Sequence, residues 1–210
     1  MRKIILILLL FIIKTSFSQI IVDYSGFKVY LDTIYKTTKY SYYILTQAKI
    51  ANKSCNRASG FKIDERYAQY QLTNKDYSHS NYDKGHLSPA EDFRYNAVVE
   101  KKCFYMTNIV PQNPQLNRGQ WKLLEEHVRD LSKGYDSVLV ITGLIYDTLN
   151  NEKFKIPTYF FKVCYIYKSK ECEAYLIPNK SIVDYKIYQI YNFKIIGMVE
   201  EKLKKMIKYE

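Results

Sequence analysis

The sequence predicts a single α+β domain, a mainly antiparallel sheet flanked by helices, and three observations carry the prediction. Strand patterns recur along the chain: Phe27-Lys28-Val29-Tyr30-Leu31 alternates like a half-buried strand, and Thr158 to Tyr167 and Glu171 to Ile177 flank Lys168-Ser169-Lys170 as a hairpin. Ser137-Val138-Leu139-Val140-Ile141 is a near-continuous, mostly β-branched run, the mark of a buried central strand. Between these lies one long amphipathic segment that starts at Asn113. The composition, 47% apolar and 25% charged over 210 residues, supports a globular chain of one domain with an ample core and argues against disorder.

In order, Met1-Arg2-Lys3 precedes a ten-residue apolar run, Ile4 to Ile13, and Ser16-Phe17-Ser18 offers small residues before Gln19. This is the pattern of a secretory signal peptide over residues 1–18, with residues 19–210 as the domain that follows. The run is shorter than the ~20 apolar residues a spanning helix needs, so a retained anchor is the weaker alternative. The expectation is export, to the periplasm or outside the cell. Removing residues 1–18 takes away Arg2, Lys3 and Lys14 and no acid, which lowers the formal charge from +11 to +8. A basic excess attracts polyanions, although surface lysine alone has the same effect on composition.

From Ile21 to about Ile50 the chain reads as strands, and Tyr40 to Thr46 is rich in aromatic and β-branched residues. The 22 tyrosines suit a β-scaffold first and base stacking second. Ala51 to Asp76 is polar and irregular. Phe104 to Asn108 reads as a short strand that Pro111 closes. Asn113-Pro114 then reads as a cap followed by proline at the first helical position. The predicted helix runs to about Ser132 with Gly134 as its stop, and Leu116, Leu123, Leu124, Val128 and Leu131 form its core stripe. Asn117 falls in its first turn, and Glu125 lies eight residues on, along the same side. Met198 to Tyr209 has helical spacing and reads as a terminal amphipathic helix.

The four cysteines are Cys55, Cys103, Cys164 and Cys172. An even number in an exported chain favours disulfides; Cys164 and Cys172 flank the predicted hairpin, and Cys55 with Cys103 is the remainder. Free buried thiols are the alternative. With no C-x-x-C spacing and only His79, His86 and His127, a structural zinc site lacks its usual ligands.

The chemistry concentrates between Tyr82 and Glu126. Asp83-Lys84-Gly85-His86 stands just before Pro89, followed by Thr107-Asn108 with Pro111-Gln112, and by Leu116-Asn117 with Trp121 and Leu124-Glu125. A histidine titrating near neutrality, two amides and a carboxylate suit phosphodiester hydrolysis with one hard cation. A lone histidine is ordinarily structural, and an asparagine at a helix start is ordinarily a cap. The ordered set tips both toward function.

That set resembles the DNA/RNA non-specific endonucleases, the endonuclease G-like ββα-metal or His-Me finger nucleases, whose signature is Asp-Arg-Gly-His. The resemblance extends through Thr142-Gly143 to Ile177-Pro178-Asn179 and covers roughly residues 27–192. It implies the ββα-metal fold, with His86 as general base, Asn117 as the ligand of Mg²⁺ (or another divalent cation such as Mn²⁺), and Glu125 accepting a hydrogen bond from a metal-bound water. It further implies that Asn108 orients His86 or the attacking water, that Asp83 supports the site, and that Gly85 permits the turn presenting His86. Arg57 matches an arginine that contacts the scissile phosphate, with Arg66 as its competitor and a plain surface arginine as the bland alternative. Lys84 departs from the family's arginine; it keeps the charge and loses the planar fork that grips phosphate in two places.

The implied partner is nucleic acid, DNA and RNA alike, contacted through its backbone with little sequence preference. The implied products carry 5′-phosphate and 3′-hydroxyl ends. Two rival readings remain: a nucleic-acid-binding protein that kept the fold and lost turnover, which Lys84 motivates, and a narrower phosphodiesterase for small nucleotides.

Overall fold

The computed structural model describes residues 19–33, 37–135, 137–146 and 154–190. The predicted leader over residues 1–18 and the predicted terminal helix over residues 198–209 lie outside the described residues.

Six strands, β1 (Gln19–Asp23), β2 (Lys28–Asp32), β3 (Thr37–Thr46), β6 (Ser137–Ile145), β7 (Tyr159–Ile166) and β8 (Glu171–Pro178), form one antiparallel sheet in the order β1-β2-β3-β6-β7-β8. The β-branched run of β6 sits between β3 and β7, where its Val138 and Val140 are fully enclosed. After β3 the chain enters the short helix α1 (Gln47–Ala51), capped by the Thr46 side chain, where the sequence pattern had suggested continued strand.

A second, two-stranded ribbon carries the signature. Here β4 (Asp83–His86) runs antiparallel to β5 (Ile109–Gln112), with Asp83 opposite Gln112 and His86 opposite Ile109. Two helices follow directly, α3 (Pro114–Arg118) and α4 (Gln120–Tyr135), after the earlier α2 (Ala97–Lys102). Strand, strand, helix is the order that the family resemblance implied.

The helix prediction needs one correction. Asn113 does cap it, its side-chain oxygen accepting from the Leu116 N–H at 3.1 Å, and Pro114 stands at the start. The helix then breaks at Gly119, whose N–H bonds back to the carbonyls of Gln115 and Leu116. A side chain there would put Cβ 2.6 Å from the Gln115 carbonyl oxygen, so the close approach of backbone to backbone selects glycine. Gly134 does not stop α4, which runs on to Tyr135. Of the predicted stripe, Leu116, Leu124 and Val128 are buried, Leu131 is partly buried against the core, and Leu123 is 46% exposed. Trp121 takes the place given to Leu123: with Leu124 and Val128 it completes the i, i+3, i+7 face that turns inward.

Two clusters fix the ribbon and helices to the sheet. One gathers Val22, Tyr24, Phe27, Phe93, Phe104 and Val128 about β1 to β3. The other joins Leu87 and Val110 of the ribbon region to Leu116, Trp121 and Leu124 of the helices, and to Phe160 and Ile177 of the sheet. Each such buried side chain contributes about 1.5–3 kcal/mol, so this second cluster holds the ribbon and α4 in fixed relation. Asn179 adds a polar clamp: its oxygen accepts from the Asn113 N–H at 2.7 Å, and its nitrogen donates to the Pro111 and Pro157 carbonyls.

Phe104 to Asn108 is not a strand. Met106–Asn108 form a 3₁₀ turn, and pairing begins only at Ile109. Pro111 lies inside β5 instead of ending it; β5 has a single strand partner among the described residues, so a missing N–H is tolerated there.

The disulfide expectation is overturned. All four cysteines are free, and the hairpin register shows why. Cys164 stands opposite Glu173 and Cys172 opposite Tyr165, an offset of one residue that sends the two thiols to opposite faces of the sheet. Cys103 is buried and points at the Val99 carbonyl, while Cys55 points at the Arg94 carbonyl.

Candidate active site

Alternation along β4 divides its four residues. Asp83 and Gly85 face one side of the ribbon; Lys84 and His86 face the other. On the first side Asp83 accepts from the Asn117 side-chain nitrogen at 2.8 Å and from Arg118 at 2.8 and 2.6 Å, a two-pronged ion pair. Burial works against the Asp83 carboxylate, but Arg118 and Asn117 hold its pKa below the ordinary value. A carboxylate only accepts, so the Asn117 amide must turn its nitrogen to Asp83. Its oxygen is thereby left for another partner, in the wall of a cleft.

That cleft, about 800 Å³ in volume, is lined by His86, Asn117, Glu125, Arg57, Lys84 and Asp83 together. The sequence order that separates these residues is erased by the ribbon and the two helices. The His86 ring packs edge-on against Phe104 at 5.1 Å between centroids and tilted against Phe61 at 5.6 Å. Its Nε2 is sealed from solvent without a hydrogen-bond partner among the described residues. Nδ1 is therefore the nitrogen left to work in the cleft. Burial, reinforced by the nearby Arg57 charge, lowers the His86 pKa to about 3, so the imidazole is neutral at physiological pH. A base must be neutral to accept a proton.

Glu125 is the half-buried carboxylate of the set. Burial raises its pKa to about 7, opposed by Lys162, with Asp92 adding to the rise. Trp121 also favours the charged form, yet its indole N–H falls short of a hydrogen bond and has no other partner among the described residues. Behind Glu125 lies a buried polar cluster. Arg129 donates to Asp92 at 3.0 Å, Tyr43 donates to the other Asp92 oxygen, and Lys162 donates to Thr142 at 2.8 Å while lying 4.7 Å from the Trp121 ring centroid.

Arg57, not Arg66, belongs to the cleft. Arg57 is exposed above the Phe104 ring at 5.2 Å, whereas Arg66 is committed to Asp64 through two short bonds. The Lys84 ammonium lies 5.3 Å from the Phe61 ring centroid and 5.5 Å from that of Tyr77.

Two expected roles change. Asn108 is fully buried, and its amide is spent on backbone: the oxygen accepts from the Ser88 N–H, and the nitrogen donates to the Ser88 and Cys103 carbonyls. It braces the chain just after His86 and touches neither the ring nor the cleft. Gly85 makes no turn. It lies in a paired strand, and a side chain there would meet the buried Gln112 side chain, 2.2 Å from its oxygen and 2.7 Å from its Cβ.

Sequence reasoning missed Lys53, Glu91, Lys122, Glu126 and Arg129 as members of the site; all five line the same cleft. Lys53 pairs with Glu91 at 2.7 Å and Lys122 with Glu126 at 3.8 Å, so four of these five charges offset one another. Lys162 left one signal in the sequence: a lone charge in the middle of an apolar strand, which is retained only where buried partners await it. Among the described residues no group of three or more His, Cys, Asp or Glu side chains is placed to hold a metal. A cation here would depend on amide and water oxygens, which is the ordinary habit of Mg²⁺.

Fold and cleft together define the class, a ββα-metal nuclease fold. A structural match supports this directly: a chain from the crystal structure of the EndoG/EndoGI complex, a study of EndoG inhibition, superposes with a TM-score of 0.75 over 87% of this chain and 85% of that one, at 27% identity. The DNA/RNA non-specific endonuclease family model matches residues 10–205, and the chain belongs to that family. Human mitochondrial endonuclease G is 31% identical over 144 residues, 60% of this chain and 48% of its own length. Mitochondrial nuclease 1 of Schizosaccharomyces pombe is 30% identical over 200 residues, 82% of this chain and 62% of its own. The chain thus spans about half to three fifths of these curated relatives.

Proposed function

We propose that this chain is an exported, Mg²⁺-dependent endonuclease that hydrolyses DNA and RNA without sequence preference. The observation that carries the reading is that the His86 ring and an Asn117 amide turned by Asp83 line one cleft. The donor set fits a hard cation: the Asp83 carboxylate fixes the Asn117 oxygen, and Glu125 stands in the same cleft to bind a water and balance charge. When bound, Mg²⁺ or Mn²⁺ would neutralise charge building on the phosphate and on the departing oxygen.

The protein's own groups supply the rest. Arg57 and Lys84 draw the phosphate into the cleft as point charges. His86, through Nδ1, takes a proton from water as the water oxygen bonds to phosphorus. The bond from phosphorus to the 3′-oxygen breaks, leaving a 5′-phosphate, and the 3′-oxygen gains a proton from solvent. The Phe61 and Phe104 rings hold the imidazole where this can happen, and Asn108 braces the backbone just beyond it. Backbone contact explains indifference to sequence and to sugar. Export rests on the leader pattern of residues 1–18.

The test is nicking of supercoiled plasmid by the protein lacking residues 1–18. Cleavage in Mg²⁺, with loss of cleavage in EDTA and in His86→Ala, is expected. Equal cleavage in all three conditions refutes the mechanism. Salt-dependent binding without cleavage in any divalent metal selects the binding-protein alternative.

A further inference from the structure

The cleft has two unlike walls. One is polar and helical, made by Asn117 of α3 with Lys122, Glu125 and Glu126 of α4, and the other is aromatic, made by Phe61, Tyr77 and Tyr82. Backbone recognition alone has no use for the second wall. Phe61 is already engaged by the His86 ring and the Lys84 ammonium, and Tyr77 is 94% buried beneath the same ammonium, its exposure being 6%. Tyr82 differs. It is only half-buried, and its one ring neighbour among the described residues is Phe154, at 6.3 Å between centroids and tilted 53°. Its hydroxyl has no hydrogen bond among the described residues; the one Tyr82 bond is a backbone N–H donated to Ser80.

We infer that Tyr82 is a stacking platform for an unpaired base, and that the aromatic wall gives the cleft a preference for single-stranded over duplex nucleic acid. The inference rests on the proposed nuclease reading for its substrate class, but not on turnover. Every base offers a π-face, so stacking adds affinity without adding sequence preference. In a duplex that face is covered by the neighbouring base pairs. A single strand can set its bases on the aromatic wall while its phosphates meet Lys84 and Arg57. Tyr82 stands directly before the signature strand, beside Asp83, so a base stacked there would flank the phosphate presented to His86.

The experiment measures dissociation constants in the His86→Ala background, where no cutting intrudes. The probes are a fluorescent single-stranded oligonucleotide, the same strand in a duplex, and the same strand carrying abasic sites. Tyr82→Ala is expected to weaken single-strand binding about 5- to 140-fold, the span of one base–aromatic stack, and to weaken duplex binding far less. Tyr82→Phe should restore single-strand affinity, and Tyr82→Leu should behave like Tyr82→Ala because bulk without a π-system does not stack. Abasic sites should weaken the Tyr82 protein and leave Tyr82→Ala unmoved. Equal losses on single strand and duplex, or full affinity in Tyr82→Leu, would overturn the inference. Plasmid nicking by the His86 protein is scored separately, so failure of the nuclease reading is seen apart from failure of the stacking one.

Discussion

Gly85 offers the sharpest test of how the ribbon presents the base. In Gly85→Ala the new Cβ would lie 2.2 Å from the Gln112 side-chain oxygen and 2.7 Å from the Gln112 Cβ. The first contact is with the movable end of a side chain. The second is with an atom fixed to the backbone of β5, so relieving it requires the strands to shift. Gln112 is fully buried, and neither of its amide atoms has a partner among the described residues, so displacing them breaks no hydrogen bond and the cost lies in the packing. Overpacking of this kind costs about 1–3 kcal/mol, and the rigid contact argues for the upper part of that range. For a chain of this length, about 2–3 kcal/mol lowers Tm by roughly 4–12 °C. His86 is the next residue, so plasmid nicking should fall with stability. Gln112→Ala in the same chain removes the first clash and keeps the second; melting curves of the two single variants and the double variant should show partial rescue. An unchanged Tm in Gly85→Ala would refute the reasoning, and full rescue would place the whole cost on the side-chain oxygen.

Two further outcomes follow from the buried charges. Arg129→Met strands Asp92 without its ion-pair partner, and breaking a buried pair costs about 3–5 kcal/mol. Burial already raises the Asp92 pKa, so protonation caps the loss; urea unfolding should show about 3 kcal/mol, and a loss near zero would contradict the buried pair. His86 sets an acid limit. Its ordinary pKa of 6.5 falls to about 3 in the fold, so its contribution is complete above 6.5 and is lost as pH falls toward about 3, where the unfolded chain binds the extra proton. The unfolding midpoint should therefore decline with acid over that window more steeply in wild type than in His86→Gln; parallel curves would refute the burial of the ring.

What the sequence made legible was whatever local pattern decides. The β-branched run of β6 and the β7–β8 hairpin fall where alternation and apolar density put them. His86, Asn117 and Glu125 line one cleft because a ribbon followed at once by helices leaves them little freedom. The errors come from contacts distant in sequence. The break at Gly119 follows from a carbonyl four residues back, the free cysteines from a one-residue register offset, and the Asn108 role from backbone groups that no spacing reveals. Arg129 and Asp92 carry no local signal of the packing that encloses them, with Lys162, around Glu125. Pro111 in a strand could not be foreseen without knowing that β5 has one strand partner among the described residues.

The central claim, a neutral imidazole and a cation held by one amide oxygen in a single cleft, is tested most directly by crystals of His86→Ala soaked with Mn²⁺. The account predicts an anomalous peak at metal–oxygen bonding distance from the Asn117 side-chain oxygen, with Glu125 reaching it through water. A peak held by other residues, in a protein whose wild type cleaves DNA only with the metal, would contradict it.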